Sequence, residues 1–343
     1  MKVTLFCQNP YAFAILEPLM HVLKQKSYEY IWFLGPKIKH FPFDNESYTR
    51  TISILKEFKS DAIFVPGNEV PYYLRGLKIQ VFHGLAGEKK GHFRIRHYFD
   101  LYLTQGPYFT NRFKELKNKY KDFDVVETGW PKLDIFANDK NLYAQEKEGL
   151  LKKHNAKKVI LYAPTFSPSL TSAPHLVEEI KELATNKEYL IIFKFHDLMA
   201  NEQIETYKKI ANQIDNVIFE TEKNIIKFLL MSDILISDTS SVVYEFLLLD
   251  KPVITFKNNS DSILWDDSIT YTSLLEKVKT NLEDDIYKEQ RQKIVESYHP
   301  YNDGKSALRM VESVENYIVN NGVPERRKLS IFRKYKINKI FKK

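Results

Sequence analysis

Short apolar runs recur along the chain, and longer segments of mixed polar and apolar residues separate them. Continuous apolar runs are typical of strands that are covered on both faces of a parallel sheet. Segments such as 14–24 and 203–213 are long enough for the helices between strands. The pattern predicts strands at 3–7, 30–34, 62–65, 80–82, 101–104, 125–127, 159–162, 190–195, 217–219, 234–237 and 253–256. This alternation predicts an α/β fold with parallel sheets.

The strand pattern is interrupted once, after Thr128-Gly129-Trp130-Pro131, where a polar and Lys-rich stretch follows. Six predicted strands precede the interruption and five follow it, and 343 residues suit two domains of ordinary size. We therefore predict two Rossmann-like domains facing a cleft, at 1–140 and 141–323, with a tail at 324–343. The last helix of the second domain can cross back to the first. Ligands of such sheets bind beyond the carboxyl ends of the strands.

Composition narrows the class of protein. The single cysteine, Cys7, lies in an apolar run and cannot form an intrachain disulfide. A chain without disulfides is compatible with a reducing compartment. The sequence has neither a signal-peptide pattern nor an apolar run of the ~20 residues that a spanning helix needs, so a cytoplasmic protein is expected. Nine of the Lys and Arg residues lie in 326–343, and the rest of the chain is nearly neutral. The body therefore lacks the distributed basic face of a nucleic-acid-binding protein.

The strongest candidate for a ligand site is 236–247, where an apolar strand runs into four small polar residues and then into an apolar helix. The four residues are Asp238, Thr239, Ser240 and Ser241. Such side chains cap helices, and the free N–H groups of a first helical turn also attract anions. One residue would suffice as a cap, so four favour an anion site. A capped helix that binds nothing fits the same residues.

A second candidate is the loop that starts at His83 and Gly84, directly after a predicted strand. Three glycines and two lysines, Lys89 and Lys90, lie in or near it. Glycines allow close backbone approach to a ligand, and histidine is the most common general base. A structural histidine in a solvated loop is the alternative.

A third group follows strands of the second half. Lys194 and His196 end one strand, and Thr165 follows another. They suit phosphate binding opposite His83, but an outward lysine, a capping histidine and a turn threonine fit the same pattern. No G-x-x-x-x-G-K-[ST] loop and no G-x-G-x-x-G fingerprint occurs, which argues against ATP hydrolysis and dinucleotide redox chemistry. Asp122 and Asp124 have D-x-D spacing but precede a strand, which favours a turn.

Several segments in a fixed order resemble the CDP-glycerol glycerophosphotransferase family, whose members prime and polymerise teichoic acids. The most specific is the Ser-rich segment followed by Asp250-Lys251-Pro252. The others are the His83 loop, 128–134, 161–165, 194–196 and 302–306. The resemblance implies a glycosyltransferase-B type fold without a catalytic metal or another cofactor. The chain departs from the family pattern at Leu85-Ala86 and at Trp130 and Lys132. These differences affect the expected identity of the acceptor more than the class of the donor.

The resemblance also implies roles for individual residues. His83 would be the general base on an acceptor-side first domain, with Gly84, Lys89 and Lys90 beside it. The second domain would hold CDP-glycerol or a related CDP-alditol. Its phosphate ligands would be Thr239, Ser240, Ser241 and the catalytic His196, with Glu245 at the ribose. The residue pattern adds Lys194, Thr165 and Asp238 as candidate phosphate ligands. A further helix start with Asp303, Gly304 and Arg309 would face the same anion.

The implied reaction transfers glycerol phosphate to a hydroxyl of a lipid-linked or polyol-phosphate acceptor and releases CMP. The tail suits this acceptor, because it interleaves bases with apolar and aromatic residues, as an interfacial helix on an anionic membrane does. The tail residues concerned are Arg326, Arg327, Lys328, Phe332, Arg333, Lys334 and Lys336. They predict a peripheral protein on the cytoplasmic face of the membrane, and a disordered solubilising tail is the alternative.

Two rival functions remain at the level of sequence. One is a capsule-type glycosyltransferase that uses a CMP-activated sugar, since such enzymes also combine a histidine with a serine pair. The other is a non-catalytic protein that binds a membrane or RNA through its basic tail. The rivals differ in nucleotide binding, which the second one does not require.

Overall fold

The computed structural model describes residues 1–85, 91–139, 141–222, 224–260 and 262–341. The chain divides into two compact units. The first contains Met1–Asn138 together with Ser297–Lys343, and the second contains Asp139–Glu296. Residues 297–323 lie with the first unit; they were predicted as the end of the second domain, with the option that the last helix crosses back to the first.

Thirteen parallel strands and thirteen α-helices are present in the described residues. The strands of the first unit are β1 (Lys2–Cys7), β2 (Glu29–Leu34), β3 (Tyr48–Thr49), β4 (Ala62–Val65), β5 (Leu77–Gln80), β6 (Leu101–Thr104) and β7 (Asp124–Glu127). Those of the second are β8 (Lys158–Tyr162), β9 (Tyr189–Lys194), β10 (Val217–Glu220), β11 (Ile234–Ser237), β12 (Val253–Phe256) and β13 (Asp266–Ser268). The helices are α1 (Phe13–Gln25), α2 (Ile52–Phe58), α3 (Pro107–Tyr120), α4 (Asp134–Asn138), α5 (Ala144–Lys153), α6 (Val177–Leu183), α7 (Asn201–Gln213), α8 (Ile225–Met231), α9 (Val242–Leu247), α10 (Leu274–Glu283), α11 (Lys288–Tyr298), α12 (Ser306–Asn321) and α13 (Ile331–Ile340).

Each unit is built on one sheet. The first sheet has the order β3-β2-β1-β4-β5-β6-β7, and the second has the order β10-β9-β8-β11-β12-β13. The strand order reverses between β1 and β4 in the first sheet and between β8 and β11 in the second. Loops at the carboxyl ends of these central strands diverge at such a reversal and leave a crevice, which is where open α/β sheets bind ligands.

The sequence pattern explains why the strands are central. Every residue of β4, β5, β6, β11 and β12 is buried, as expected for strands with helices on both faces. Helix α1 instead buries a single stripe that includes Ile15, Leu16, Leu19 and Leu23. The spacing of three and four residues places these side chains on one face of the helix.

The predicted strands differ from the observed ones in two respects. The strand predicted at 80–82 is observed at Leu77–Gln80, so only Gln80 is shared, and it stops before Phe82, which adopts the left-handed conformation with φ of 58°. Two short edge strands, β3 and β13, were not predicted. They contain two and three residues and little apolar side chain, so no hydrophobic run marks them.

The C-terminal segment is bound to the first unit. The guanidinium of Arg327 donates to the backbone oxygens of His97 and Asp122 and to the carboxylates of Asp100 and Asp122, at 2.6–3.0 Å. This corrects the sequence analysis, which placed Arg327 on the membrane-facing side. Helix α13 follows, with Ile337 fully buried and the ring of Phe341 5.8 Å from that of Phe6. None of the described helices has the length and apolarity needed to cross a membrane.

Candidate active site

His83 lies three residues beyond the end of β5, at the carboxyl edge of the first sheet. Its Nδ1 is 2.9 Å from the carbonyl oxygen of Pro66, which follows β4. A carbonyl only accepts hydrogen bonds, so Nδ1 carries the proton and Nε2 is the ring nitrogen with the lone pair. The phenol ring of Tyr11 lies 5.3 Å from the imidazole. The local geometry therefore presents the tautomer that a general base requires.

The backbone before His83 is held in an unfavourable conformation. The left-handed region costs a residue with a side chain about 1–2 kcal/mol, and Phe82 adopts it with φ of 58°. Its ring is buried and packs against His92, Tyr102 and Phe113 at 5.1–6.1 Å. Strain of this kind persists where packing fixes it, and it is concentrated at functional sites.

The residue after His83 is also fixed. The buried side chain of Gln105 donates from Nε2 to the carbonyl oxygen of Gly84 at 3.0 Å. A Cβ atom at Gly84 would meet no atom of the described residues within 4 Å. Lys89 and Lys90, expected on the acceptor side, lie outside the described residues.

In the second unit, sheet order brings most of the predicted donor ligands to three neighbouring strand ends. Strands β9, β8 and β11 are adjacent, and they are followed by His196, Thr165 and Asp238. Two contacts join their loops. The backbone N–H of Thr165 donates to Asp238 at 2.8 Å, and the ring of Phe166 lies 4.5 Å from that of His196.

His196 is an exposed side chain with a defined tautomer. Its Nδ1 accepts a hydrogen bond from the backbone N–H of Leu198 at 3.1 Å, so Nδ1 carries the lone pair. Partial burial lowers the pKa of His196, which favours the neutral ring at pH 7. In that neutral ring the proton is on Nε2, which is then a hydrogen-bond donor. This is the form that suits binding to a phosphate oxygen.

Lys194 ends β9 with its side chain largely buried. Its Nζ donates to the carbonyl oxygen of Phe195 at 2.8 Å. Burial lowers the pKa of Lys194. An ammonium group has three donors, so the bond to Phe195 leaves capacity for an anion.

Asp238 has a different position from the one expected of a phosphate ligand. It is fully buried, and its carboxylate accepts hydrogen bonds from Thr165 N and from both N and Oγ of Ser172 at 2.8–2.9 Å. Burial raises the pKa of Asp238 to about 6. The carboxylate thus holds the loop 163–172 against β11, which corrects the prediction that Asp238 is itself a phosphate ligand.

The Ser-rich segment keeps its hydroxyl groups at the surface. Ser240 and Ser241 are half-buried, and within the described residues Ser241 makes no side-chain capping bond to α9. Ser240 Oγ is 3.5 Å from Val242 N, which is the limit of a hydrogen bond. Thr239 Oγ1 accepts from Asn259 N at 3.1 Å. Glu245 is 5% exposed on the first turns of α9. The helix is six residues long and ends at Leu247, the last residue of the predicted segment.

The third predicted group lies in the first unit and is engaged in local contacts. Arg309 stacks on Tyr301 at 4.3 Å and donates to Thr128 O and to the carboxylate of Asp303. Gly304 adopts φ of 65°, and its carbonyl oxygen accepts from Asn138. Asp303, Gly304 and Arg309 belong to the first unit, and Ser240 belongs to the second.

The segment Asp250-Lys251-Pro252, which resembles the family most specifically, makes structural contacts within the second unit. Lys251 donates from Nζ to the carbonyl oxygens of Leu229, Leu230 and Ser232, and so closes the C-terminal end of α8. Burial lowers the pKa of Lys251 to about 8. Asp250 accepts from the buried Arg291 at 2.8 Å. The specific Asp-Lys-Pro segment therefore stabilises the second unit.

Some contributors to the sites gave no recognisable signal in the sequence. Pro66 acts through a carbonyl oxygen, which every residue has. Ser172 lies far along the chain from Asp238 and meets it only in the folded sheet. The aromatic neighbours Tyr11 and Phe166 could not be told from ordinary packing residues.

The chain matches the family of CDP-Glycerol:Poly(glycerophosphate) glycerophosphotransferases over residues 76–262, which is more than half of its length. The chain belongs to this family. The matched region starts before His83 and ends after the Ser-rich segment, so it includes both candidate sites.

Curated relatives of this family member act in teichoic acid synthesis. The teichoic acid poly(glycerol phosphate) polymerase of Bacillus spizizenii is 26% identical over 290 residues, or 73% of this chain and 70% of that protein. The poly(ribitol-phosphate) polymerase of the same organism is 33% identical over 149 residues, or 41% of this chain and 23% of that protein. The match to the ribitol-phosphate polymerase TarL of Staphylococcus aureus covers 39% of that protein. The chain thus spans less than half of the two ribitol-phosphate polymerases.

Solved structures show the type of fold. The wall teichoic acid polymerase TagF superimposes with a TM-score of 0.68 at 18% identity, over 93% of this chain and 89% of that one. A UDP-GlcNAc 2-epimerase from Neisseria meningitidis gives 0.65 at 15% identity, over 92% and 100%. The predicted glycosyltransferase-B type of fold, with two parallel α/β domains, is confirmed.

Proposed function

We propose that the family member transfers glycerol phosphate, or a related alditol phosphate, from a CDP-activated donor to an acceptor hydroxyl in teichoic acid-like polymer synthesis. The observation that carries the proposal is the family match over residues 76–262, which contains a histidine in base geometry and a Ser-rich donor segment. The relatives named above, which polymerise glycerol or ribitol phosphate, support the same class of reaction.

His83 is proposed as the general base. Nε2 takes the proton of the acceptor hydroxyl while the hydroxyl oxygen forms a bond to the β-phosphorus of the donor. The bond from the β-phosphorus to the bridging oxygen breaks, and CMP leaves with the electron pair. The bond from Nδ1 to Pro66 O stabilises the imidazolium that results, because it holds a donor against a carbonyl dipole.

The donor phosphates are proposed to lie at the carboxyl ends of β9, β8 and β11. The Nε2–H of His196, the ammonium of Lys194 and the hydroxyls of Ser240 and Ser241 are donors at these ends. Such donors stabilise charge on phosphate oxygens, which is the main requirement of phosphoryl transfer. Thr165 and Thr239 add hydroxyl groups at the same edge. We propose that Asp238 positions Thr165, and that Glu245 faces the ribose.

The acceptor is proposed to be lipid-linked, with the protein bound to the inner face of the cytoplasmic membrane. Helix α13 exposes Ile331, Phe332 and Tyr335 by 82%, 87% and 70%. Bases flank this face, and each base near an anionic membrane contributes about 1 kcal/mol. Lys336 Nζ is 3.5 Å from Glu69, which lies in the loop that starts at Pro66. The apolar face therefore belongs to a helix that contacts the loop after β4, in which Pro66 binds His83.

The test is CMP release from CDP-glycerol, CDP-ribitol and a CMP-activated sugar in parallel, with a short glycerol-phosphate acceptor and with a lipid-linked one. Acceptor-dependent release from a CDP-alditol supports the proposal. Release from the CMP-sugar alone would assign the protein to the glycosyltransferases instead. Absence of release and of nucleotide binding, with salt-sensitive RNA binding, would favour the non-catalytic alternative.

A further inference from the structure

We propose that Gln80 is a positioning residue for His83, a role that rests on the proposed function of His83 as general base. Gln80 is the last residue of β5 and is 3% exposed. It lies in a central strand, between β4 and β6. Such strands are covered on both faces and favour apolar residues. A buried amide is costly there unless its hydrogen bonds are satisfied.

The amide of Gln80 is bonded to the turn that holds His83. Its Nε2 donates to the carbonyl oxygens of Val65 and Pro66, each at 3.2 Å. The Pro66 oxygen also accepts from His83 Nδ1 at 2.9 Å. A carbonyl oxygen has two lone pairs, so it can take both donors at once. One backbone oxygen thus connects Gln80 to His83.

This connection lies at the end of the ladder between two strands. Val65 and Gln80 are the last register partners of β4 and β5, and Val81 N still donates to Val65 O at 3.1 Å. Beyond this pair, the segment after β4 continues to Pro66 and the segment after β5 continues to His83. Gln80 therefore fixes the Pro66 peptide at the first position where the sheet no longer does.

The orientation of the Pro66 peptide decides which nitrogen of His83 carries the proton. With the carbonyl oxygen held toward Nδ1, the lone pair is on Nε2. If the peptide rotates, the bond to Nδ1 is lost and the other tautomer becomes populated. In that tautomer Nε2 carries a proton and cannot accept one from the acceptor hydroxyl. The fraction of enzyme with a competent base then falls.

The experiment compares wild type with Gln80→Met, which keeps the length of the side chain and removes the amide. The readout is the ¹⁵N chemical shifts of the imidazoles in histidine-labelled protein, with His83 assigned by its absence in His83→Gln. Steady-state kinetics with CDP-glycerol and a short glycerol-phosphate acceptor give kcat and KM. The matched control is Asn216→Leu, because Asn216 is a buried amide that also donates to backbone carbonyls, in the second unit.

The expected result is a shift of the His83 signals toward the Nε2–H tautomer, with kcat lowered at least tenfold and KM for the donor changed less than threefold. Asn216→Leu should change neither the His83 signals nor the values of kcat and KM. Unchanged His83 signals and a kcat within twofold of wild type would overturn the proposal.

The tautomer readout separates this proposal from the proposed function. If the His83 signals shift in Gln80→Met but wild type transfers nothing from any CDP-alditol, the positioning role stands and the proposed reaction fails. Should Gln80→Met not fold, Gln80→Leu provides the same comparison. Its side chain is apolar and has no N–H to donate to Pro66.

Discussion

The carbonyl oxygen of Pro66 accepts a hydrogen bond from Nδ1 of His83 at 2.9 Å, and the two residues follow neighbouring strands, β4 and β5. The bond separates two possible roles of the imidazole. Nδ1 has a structural partner, and Nε2 is the nitrogen proposed for chemistry. A substitution that keeps the hydrogen bond to Pro66 and removes the Nε2 nitrogen tests the general base directly.

His83→Asn is such a substitution, because the amide nitrogen can still donate to Pro66. We expect kcat to fall by about 10²–10⁴, the usual contribution of a general base. Thermal unfolding should stay close to that of wild type. The measurement is CMP release under saturating donor, and His21→Asn on the exposed face of α1 is the control. Turnover within threefold of wild type would remove His83 from the mechanism.

Asp238→Asn should weaken donor binding. The amide has one acceptor oxygen where the carboxylate has two, and its NH₂ group is directed at the N–H of Thr165 or Ser172. We expect nucleotide affinity to fall at least fivefold, with a loss of about 1–3 kcal/mol in the free energy of unfolding. Calorimetric titration with CDP-glycerol measures the first. The control is Asp233→Asn, which alters a carboxylate that also accepts a backbone N–H of the second sheet.

The same residue predicts a dependence of stability on pH. Burial raises the pKa of Asp238 to about 6 from the ordinary 3.8 of an aspartate, so the folded protein binds the extra proton between these two pH values. Its contribution to the free energy of unfolding therefore rises as the pH falls from 7 to 4, by roughly 3 kcal/mol. Denaturant unfolding of wild type and Asp238→Asn across this range gives the difference. A difference that is constant with pH would contradict the prediction.

Arg327→Met should release the C-terminal segment from the first unit. Its guanidinium is paired with Asp100 and Asp122 and is largely buried, and removing one partner of a buried pair costs about 3–5 kcal/mol. We expect faster amide exchange in residues 324–341, measured by mass spectrometry. Arg326→Met, at an exposed neighbour, should leave the exchange unchanged. Equal exchange in both variants would mean that the ion pairs of Arg327 do not hold the segment.

The exposed face of α13 should determine membrane binding. Replacing Ile331, Phe332 and Tyr335 by Ser removes apolar surface without touching the buried Ile337. We expect co-sedimentation with anionic vesicles to fall at least tenfold. Turnover of a lipid-linked acceptor should fall with it, while turnover of a short soluble acceptor remains. The double variant Ile269→Ser and Val319→Ser, at positions 81% and 83% exposed, is the control. Vesicle binding that is equal in all three proteins would exclude α13 as the contact.

The position of the strand ends was largely readable from the sequence. Apolar runs identified eleven of the thirteen strands because central parallel strands are buried on both faces, and the two missed strands, β3 and β13, are short edges. His83, Thr165 and His196 were recognised because they follow such runs. The end of β5 was placed two residues too late, since a left-handed backbone at Phe82 has no signature in its side chain.

The sequence by itself determined the fold class, the family and the strand ends at which functional residues lie, because hydrophobic periodicity and local chemistry are properties of neighbouring residues. Tertiary structure decided the use of individual side chains. It made Asp238 a buried acceptor for Ser172, paired Arg327 with Asp100, and bonded Arg309 to the backbone oxygen of Thr128 in the first unit. Each of these contacts joins residues that are distant in the chain. A carboxylate or a guanidinium can bind a ligand or can pair with another side chain of the protein. The sequence does not distinguish these two roles, because they depend on which groups folding brings within hydrogen-bond distance.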